Sequence, residues 1–341
     1  MSKSYRLLDC TLRDGGHVND FNFGFEKIKR ISKGLVDTGL DIVELGFFRS
    51  CDYDEDKTLF NKVTQAEKIV RDLEPKKTKF SMMIRPDWCD ISLLDASDRI
   101  SIIRFAFHKR DIDLVQAQAQ RAISLGYEVY LNPVNITGYQ DSEIVLMLEK
   151  LSSLKVSGVS IVDTFGCMNE RDLYRLCELF SRNLDENTEL GLHLHENLSL
   201  SFSLAQKFLE IRDPKRSVIV DSSTLGMGRI PGNLPTELMV EFLNTRYADS
   251  YCLSSVLQVA SSEIKPIKAH FDWGYSPEYA VSAALGIHRT FPEYLVSDCG
   301  LGFHEAHKVM RLVKERGLGA SFSKEVCNQL VRELRGNDQC V

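Results

Sequence analysis

Short runs of apolar and β-branched residues alternate along most of the chain with longer stretches whose apolar positions recur at helical spacing. Eight runs have strand character: Tyr5 to Cys10, Asp41 to Phe47, Lys79 to Ile84, Ser101 to Phe107, Tyr127 to Leu131, Val159 to Val162, Leu190 to Leu194 and Ser217 to Val220. They lack the apolar–polar alternation of half-exposed strands. That predicts parallel strands buried on both faces by helices. Phe25 to Val36 puts Phe25, Ile28, Ile31 and Leu35 on one helical face. Further helices are expected over Phe60 to Leu73, Asp111 to Leu125, Asp141 to Leu154, Asn169 to Leu184 and Leu198 to Leu209. Gly39, Gly126 and Gly158 fall where a helix must stop before the next strand.

The alternation predicts an α/β fold, a (β/α)8 TIM barrel over residues 1–240 that forms the catalytic domain. An open doubly wound sheet is the rival. It usually has fewer strands and a phosphate-binding turn near its start, which is missing here. Past Pro235 the pattern becomes helical, with candidates at Glu237 to Leu243, Tyr251 to Val259, Tyr279 to Leu285, His304 to Val313 and Lys324 to Leu334. Residues 241–341 are therefore expected to form a helical C-terminal region packed on the barrel.

Hydrophobic residues make up 43% of the 341 positions and charged residues 26%, ordinary values for a globular protein. The net charge of -6 and the lack of a basic run argue against nucleic acid, while leaving room for a locally cationic pocket. No apolar stretch is long enough for a spanning helix, and the start lacks a secretory signal. The nine scattered cysteines contain no CxxC pair and fit a reduced, cytoplasmic setting.

In a parallel barrel the chemistry gathers at the carboxyl ends of the strands. Arg13 and Asp14 follow the first strand, Glu44 lies on the second, and Arg85, His108, Asn132 and Asp163 end the next four. His193 and His195 end the seventh, two residues apart, so both imidazoles can face one ion while Leu194 turns away. Two histidines and a carboxylate make a recurrent divalent-metal site, and Asp14 is the best third ligand. An ordinary polar strand end reads equally well from HxH alone. Arg13 could hold the carboxylate or enolate oxygen of a 2-oxo acid, or form a structural pair with Asp14. His17, after the Gly15-Gly16 turn, has an ordinary pKa, about 6.5, that suits a base. Asp163 and Asp221 could orient ligands or be satisfied core carboxylates. The glycines of Gly226 to Asn233 suit either a packing turn or close approach to an anion.

Three segments carry a resemblance: TLRDGGH at Thr11 to His17, HLHENLSLS at His193 to Ser201 and LGMGRIPGNLPTE at Leu225 to Glu237. On these the chain resembles the metal-dependent aldolase and lyase barrels, a family that includes 3-hydroxy-3-methylglutaryl-CoA lyase, isopropylmalate and homocitrate synthases, and, as the nearest branch, 4-hydroxy-2-oxovalerate aldolase. The resemblance implies Asp14, His193 and His195 as metal ligands, Arg13 as the group polarising the 2-oxo oxygen, and His17 as the base for the substrate hydroxyl. It implies Tyr279, with Tyr275 as fallback, as a proton donor near the aldehyde. Two departures stand out: Glu196 replaces a histidine that follows the second metal histidine, and Gly15-Gly16 replaces a single glycine and a larger residue.

The resemblance thus implies a lyase that cleaves or forms a 4-hydroxy-2-oxo acid from pyruvate and an aldehyde, with manganese as the first choice of ion and magnesium, cobalt or zinc as alternatives. An acyl-CoA-dependent Claisen lyase or synthase and a non-catalytic metal-binding barrel subunit are the competing expectations. The nearest branch works beside an acylating aldehyde dehydrogenase, which makes that enzyme a candidate partner. Self-association into a homo-oligomer is the other candidate assembly.

Overall fold

The computed structural model describes residues 5–229, 231–248 and 251–337; Ile230, within the glycine-rich segment, lies outside them. Nine strands form: β1 (Tyr5–Asp9), β2 (Ile42–Phe48), β3 (Leu59–Phe60), β4 (Lys79–Ile84), β5 (Ile100–Phe107), β6 (Glu128–Pro133), β7 (Gly158–Asp163), β8 (Glu189–Leu194) and β9 (Val218–Ser222). The sheet runs β1-β9-β8-β7-β6-β5-β4-β2-β3, and β1 also pairs with β2, so eight parallel strands close into a barrel. This is the (β/α)8 architecture that the alternating pattern predicts. Every residue of β2 and β7 is buried, as expected of strands covered on both faces.

Helices cover the barrel at Phe25–Thr38, Val63–Val70, Ile112–Ser124, Asp141–Leu151, Glu170–Asn183, Ser201–Ile211 and Thr236–Tyr247. In the first, Ile28, Ile31, Ser32 and Leu35 are buried at helical spacing. It ends where Gly39 adopts φ 79° and its N–H donates to the Val36 carbonyl. The connection from β4 to β5 has two short 3-10 turns instead, Pro86–Trp88 and Ile91–Leu93.

The two-residue strand β3 was not expected; the helix predicted from Phe60 begins at Val63 because Leu59 and Phe60 are drawn onto the edge of β2. Gly46 permits this. It has φ 152°, and a Cβ there would lie 2.1 Å from the Thr58 carbonyl oxygen. That oxygen instead accepts the Phe47 N–H at 3.0 Å. Thr58 in turn donates its hydroxyl to the Leu12 carbonyl at 2.7 Å and its N–H to the Phe21 carbonyl at 3.0 Å. The small extra strand is therefore a brace for the loop that follows β1.

Most of the hydrophobic core lies between the strands and their helices, and it continues through Ile264, Ile267 and Trp273. The barrel interior is thinner. Leu8, Cys10, Ile42, Ile102, Tyr130 and Ile219 form a small apolar layer, with charged groups above and below it. The C-terminal helices Pro277–Leu285, Thr290–Glu293, Phe303–Glu315 and Lys324–Asn337 enclose a second cluster running from Ile287 to Val331. Among the described residues no helix is long and apolar enough to cross a membrane.

Candidate functional site

The loop after β1 turns sharply: the N–H groups of Arg13 and Asp14 both donate to the Cys10 carbonyl, at 3.0 and 2.8 Å. A 3-10 turn over Gly15–His17 follows. Gly16 has no room for a side chain, since a Cβ would lie 2.2 Å from the Phe21 ring. The second glycine of TLRDGGH is thus required by the aromatic packed under the turn.

Asp14, His193 and His195 converge: one ligand atom from each lies within 4.8 Å of the others. His193 is in β8, and His195 lies just past it, bridged to Asn233. Their ring orientations are set from behind. The Nδ1–H of His193 donates to Asp221 Oδ2 at 3.0 Å, and that of His195 donates to the Asp163 carbonyl at 2.9 Å. Each histidine therefore keeps Nε2 as a lone-pair donor, the arrangement that fixes metal-binding imidazoles. The Asp14 carboxylate takes the Asn233 amide at 2.6 Å on Oδ2. Two imidazole nitrogens and a carboxylate oxygen, all held by outer groups, fit a divalent ion. Asp221 supports its histidine through the side chain. Asp163 does so through its main chain, while its carboxylate caps the Cys167 and Met168 N–H groups at 3.0 Å each.

Arg13 is buried and bound on two sides, donating Nε to Glu44 at 2.7 Å and Nη1 to Asp14. Among the described residues its Nη2 donates to no protein acceptor. Glu44 also accepts from Arg104 at 3.2 Å, and Arg104, only 1% exposed, reaches Asn132 at 3.0 Å and Asp221. Arg13, Glu44, Arg104, Asp221 and His193 thus form one continuous buried network. Burial opposes ionisation of Asp14, but Arg13 and then His195 hold its carboxyl well below the usual range. Burial likewise opposes charge on Asp221, but Arg104 and His193 hold it down at about 2. For Arg13, burial works against the cation, and Glu44 and Asp14 more than compensate, raising its pKa.

A cavity of about 530 Å³ opens above these groups, within the usual range for small-molecule sites. Arg13, Asp14, His17, His193 and His195 all line it, as do Arg85, His108 and Asn132. Arg49 is not part of the lining; its guanidinium stacks on Trp88 at 4.9 Å, while Arg85 covers the same ring at 4.1 Å. His17 sits edge-on to Phe21 and Phe47. Burial lowers its pKa to about 3, so the ring is neutral at pH 7 but a weaker base than an ordinary histidine. The expectation of a near-neutral pKa does not survive this environment.

Tyr279 is buried but is not among the residues lining the cavity, and Tyr275 is 64% exposed. Burial, with Glu293 next, raises the Tyr279 phenol to about 12. Glu196, where the family resemblance leads one to expect histidine, accepts the Ser201 N–H at 3.1 Å at the start of the following helix. Four residues not singled out from sequence complete the site. Asn233 holds Asp14, and Arg229, His288 and Arg289 line the cavity. Arg229 and Asn233 were within reach of sequence reasoning, because both lie in the glycine-rich segment. His288 and Arg289 belong to the C-terminal region, where no motif marks them.

The HMGL-like family pattern matches residues 4–262. The 4-hydroxy-2-oxovalerate aldolase of Bacillus cereus is 23% identical over 268 residues, covering 77% of this chain and 76% of the relative. The oxaloacetate decarboxylase of Mycobacterium tuberculosis is 25% identical over 249 residues, covering 70% of each chain. Among solved structures, the HMG-CoA lyase of Bacillus subtilis matches with a TM-score of 0.64 at 15% identity, over 82% of this chain and 98% of that one. At that identity the structural likeness speaks for the fold alone.

Proposed function

Because the chain belongs to the HMGL-like family and is an enzyme of its lyase and aldolase class, we propose that it is a divalent-metal-dependent aldolase that cleaves a 4-hydroxy-2-oxo acid to pyruvate and an aldehyde, or runs the reverse condensation. The observation that carries this reading is the convergence of Asp14, His193 and His195 within 4.8 Å, beside Arg13, on one cavity. An ion held there would supply electrophilic charge to the 2-oxo acid and lower the cost of its enolate.

The protein's own groups account for the rest. The unspent Nη2 of Arg13 holds the C2 oxygen as negative charge develops on it, and its other bonds, to Glu44 and Asp14, keep the guanidinium from moving during the step. His17, neutral at pH 7, takes the proton of the C4 hydroxyl. The C3–C4 bond breaks, the electron pair passes into the pyruvate enolate, and the aldehyde leaves. The imidazolium so formed is costly between Phe21 and Phe47, so it returns its proton readily, and protonation at C3 gives pyruvate. Tyr279 has a supporting role beside the wall of the cavity in this scheme. A Tyr279→Phe variant with turnover within about threefold of wild type would agree with that role, whereas a loss of about 10² would make it the proton donor.

The test is turnover of 4-hydroxy-2-oxo acids after chelation and after manganese is added back. Activity that vanishes and returns is expected, and full activity in chelator would overturn the reading. Membership of the HMGL-like family, which also includes HMG-CoA lyase, keeps an acyl-CoA-dependent cleavage as the second reading, recognised by release of coenzyme A thiol.

A further inference from the structure

The charges lining the cavity are balanced at its floor but not at its outer wall. At the floor each guanidinium meets carboxylates: Arg13 faces Asp14 and Glu44, and Arg104 faces Glu44 and Asp221. Arg85, further out, is spent on Asp87 at 2.8 Å and on the Trp88 ring. The wall built by the loop after β9 and by the C-terminal region carries Arg229, Arg289 and His288. Among the described residues Arg229 has no carboxylate within ion-pairing reach, and the Arg289 carboxylate partner, Glu293, stands at 3.6 Å.

Half-buried guanidiniums placed together are costly. Burial lowers the pKa of both; Arg85 adds repulsion at Arg229, and Arg229 adds it at Arg289, which falls to about 10. The negative charge of Asp14 eases Arg229, and a divalent ion at Asp14 would cancel that relief. His288 is arranged as a donor: its Nδ1 accepts the Thr290 N–H at 3.2 Å, so the neutral ring carries its proton on Nε2. Burial, then Arg229 and Arg289, lowers its pKa to about 4, so it is neutral at pH 7. With an ion bound, one carboxylate of a 2-oxo acid would leave the cavity still positive. Two cations and an N–H donor on one wall make a receptor for a second anion.

We infer that the substrate carries a second anionic group, a carboxylate or a phosphate monoester, at the far end of its aldehyde fragment, and that Arg229, Arg289 and His288 hold it. This rests on the aldolase reading and narrows it: the aldehyde is itself an anion, such as the semialdehyde of a dicarboxylic acid or a phosphorylated hydroxyaldehyde. A neutral aliphatic aldehyde would leave the wall unmatched.

Two measurements separate the claims. Exchange of the pyruvate methyl protons in deuterated water, on manganese-loaded protein without aldehyde, reads enolisation alone. Condensation is then followed for matched pairs: succinic semialdehyde against butanal, and glyceraldehyde 3-phosphate against glyceraldehyde. We expect kcat/KM to be at least about tenfold higher for an anionic member, mostly through KM. Whichever pair discriminates identifies carboxylate or phosphate as the group. In Arg229→Met, checked for an unchanged melting temperature, the preference should collapse. Exchange without preference in either pair would overturn the inference and leave the aldolase reading standing. If exchange itself is absent, the aldolase reading fails. The anion site is then judged by calorimetric titration of succinate and inorganic phosphate into wild-type and Arg229→Met protein. A tenfold loss in the variant upholds the site and equal affinities reject it.

Discussion

The barrel interior has an arginine–carboxylate cluster at each mouth, separated by one apolar layer. At the amino-terminal mouth Arg6 pairs with Glu189, and the Tyr130 hydroxyl donates to the same carboxylate at 2.7 Å. The three polar ends bond one another and are only partly covered, with the Arg6 Nε left over, and none of them lines the cavity that holds Asp14 and the histidines. At the carboxyl-terminal mouth the same residue types are used differently. Arg13, Glu44, Arg104 and Asp221 brace one another, yet among the described residues the Nε2 of each histidine and the Nη2 of Arg13 make no hydrogen bond to protein, His195 Nε2 standing 3.7 Å from Asp14. A buried ion pair is weak evidence of stabilisation at either end. What separates the two mouths is that the polar atoms left over at the carboxyl-terminal one line a cavity large enough for a small molecule.

If that distinction is right, substitutions at the two mouths should have unlike signatures. The largest effect should come from His193→Ala or Asp14→Asn, with turnover falling on the order of 10³-fold or more and bound metal lost by elemental analysis. Retained metal with retained turnover would contradict the site. Arg13→Met should cost about 10²–10³ in kcat. Arg13→Lys should rescue little of it, because an ammonium cannot serve Glu44, Asp14 and the substrate together. Asp221→Asn should weaken metal affinity by about 10–100-fold through loss of His193 orientation, measurable by competition with a chelating dye. An unchanged affinity there would mean the network is structural only. Tyr130→Phe, at the opposite mouth, should lower stability by about 1 kcal/mol in a denaturant melt and leave kcat unaltered.

A pH series on metal-free protein separates burial from function. His17 and His288 have folded pKa values lowered to about 3 and about 4 from an ordinary 6.5. The unfolded chain therefore binds their protons first, so their contribution to stability is whole above about pH 6.5 and drains away as pH falls toward 4. Asp163 works the other way. Its folded carboxyl, raised to about 6 by burial, binds a proton before the unfolded one does and returns part of the loss below pH 6. Taken alone, these three groups give a fall of about 1.4 kcal/mol per pH unit around pH 5, the slope for one excess proton in the unfolded state; lowered His193 and His108 steepen it and raised Asp9 offsets it. A flat profile would mean the histidines are more hydrated than their packing implies.

Much of this was legible along the chain because parallel barrel strands are continuous apolar runs, and all eight barrel strands lie within two residues of where the pattern put them. Strand β3 was not legible, since two residues carry no periodicity and the pairing depends on Gly46 meeting Thr58. The grouping of Asp14, His193 and His195 could be read from residue type and the spacing of HxH. The part played by Asp221 needed the closure of β9 against β1, where Leu8 stands opposite it. The low pKa of His17 depends on Phe21 and Phe47 folding over it. Arg289 and His288 join the cavity only when the distant C-terminal helices fold back, beyond any local signal.

That folding back divides the labour of the chain. The stretch after Pro277 gives three residues to the rim, His288, Arg289 and Ala320, and none to the Asp14–His193–His195 group. On the proposed reading, the reacting centre and half of the anion-holding wall are therefore encoded in separate portions of the gene, with Arg229 on the barrel side of the division. Drift or recombination in the latter could retune which aldehyde is accepted while the reacting centre stays intact.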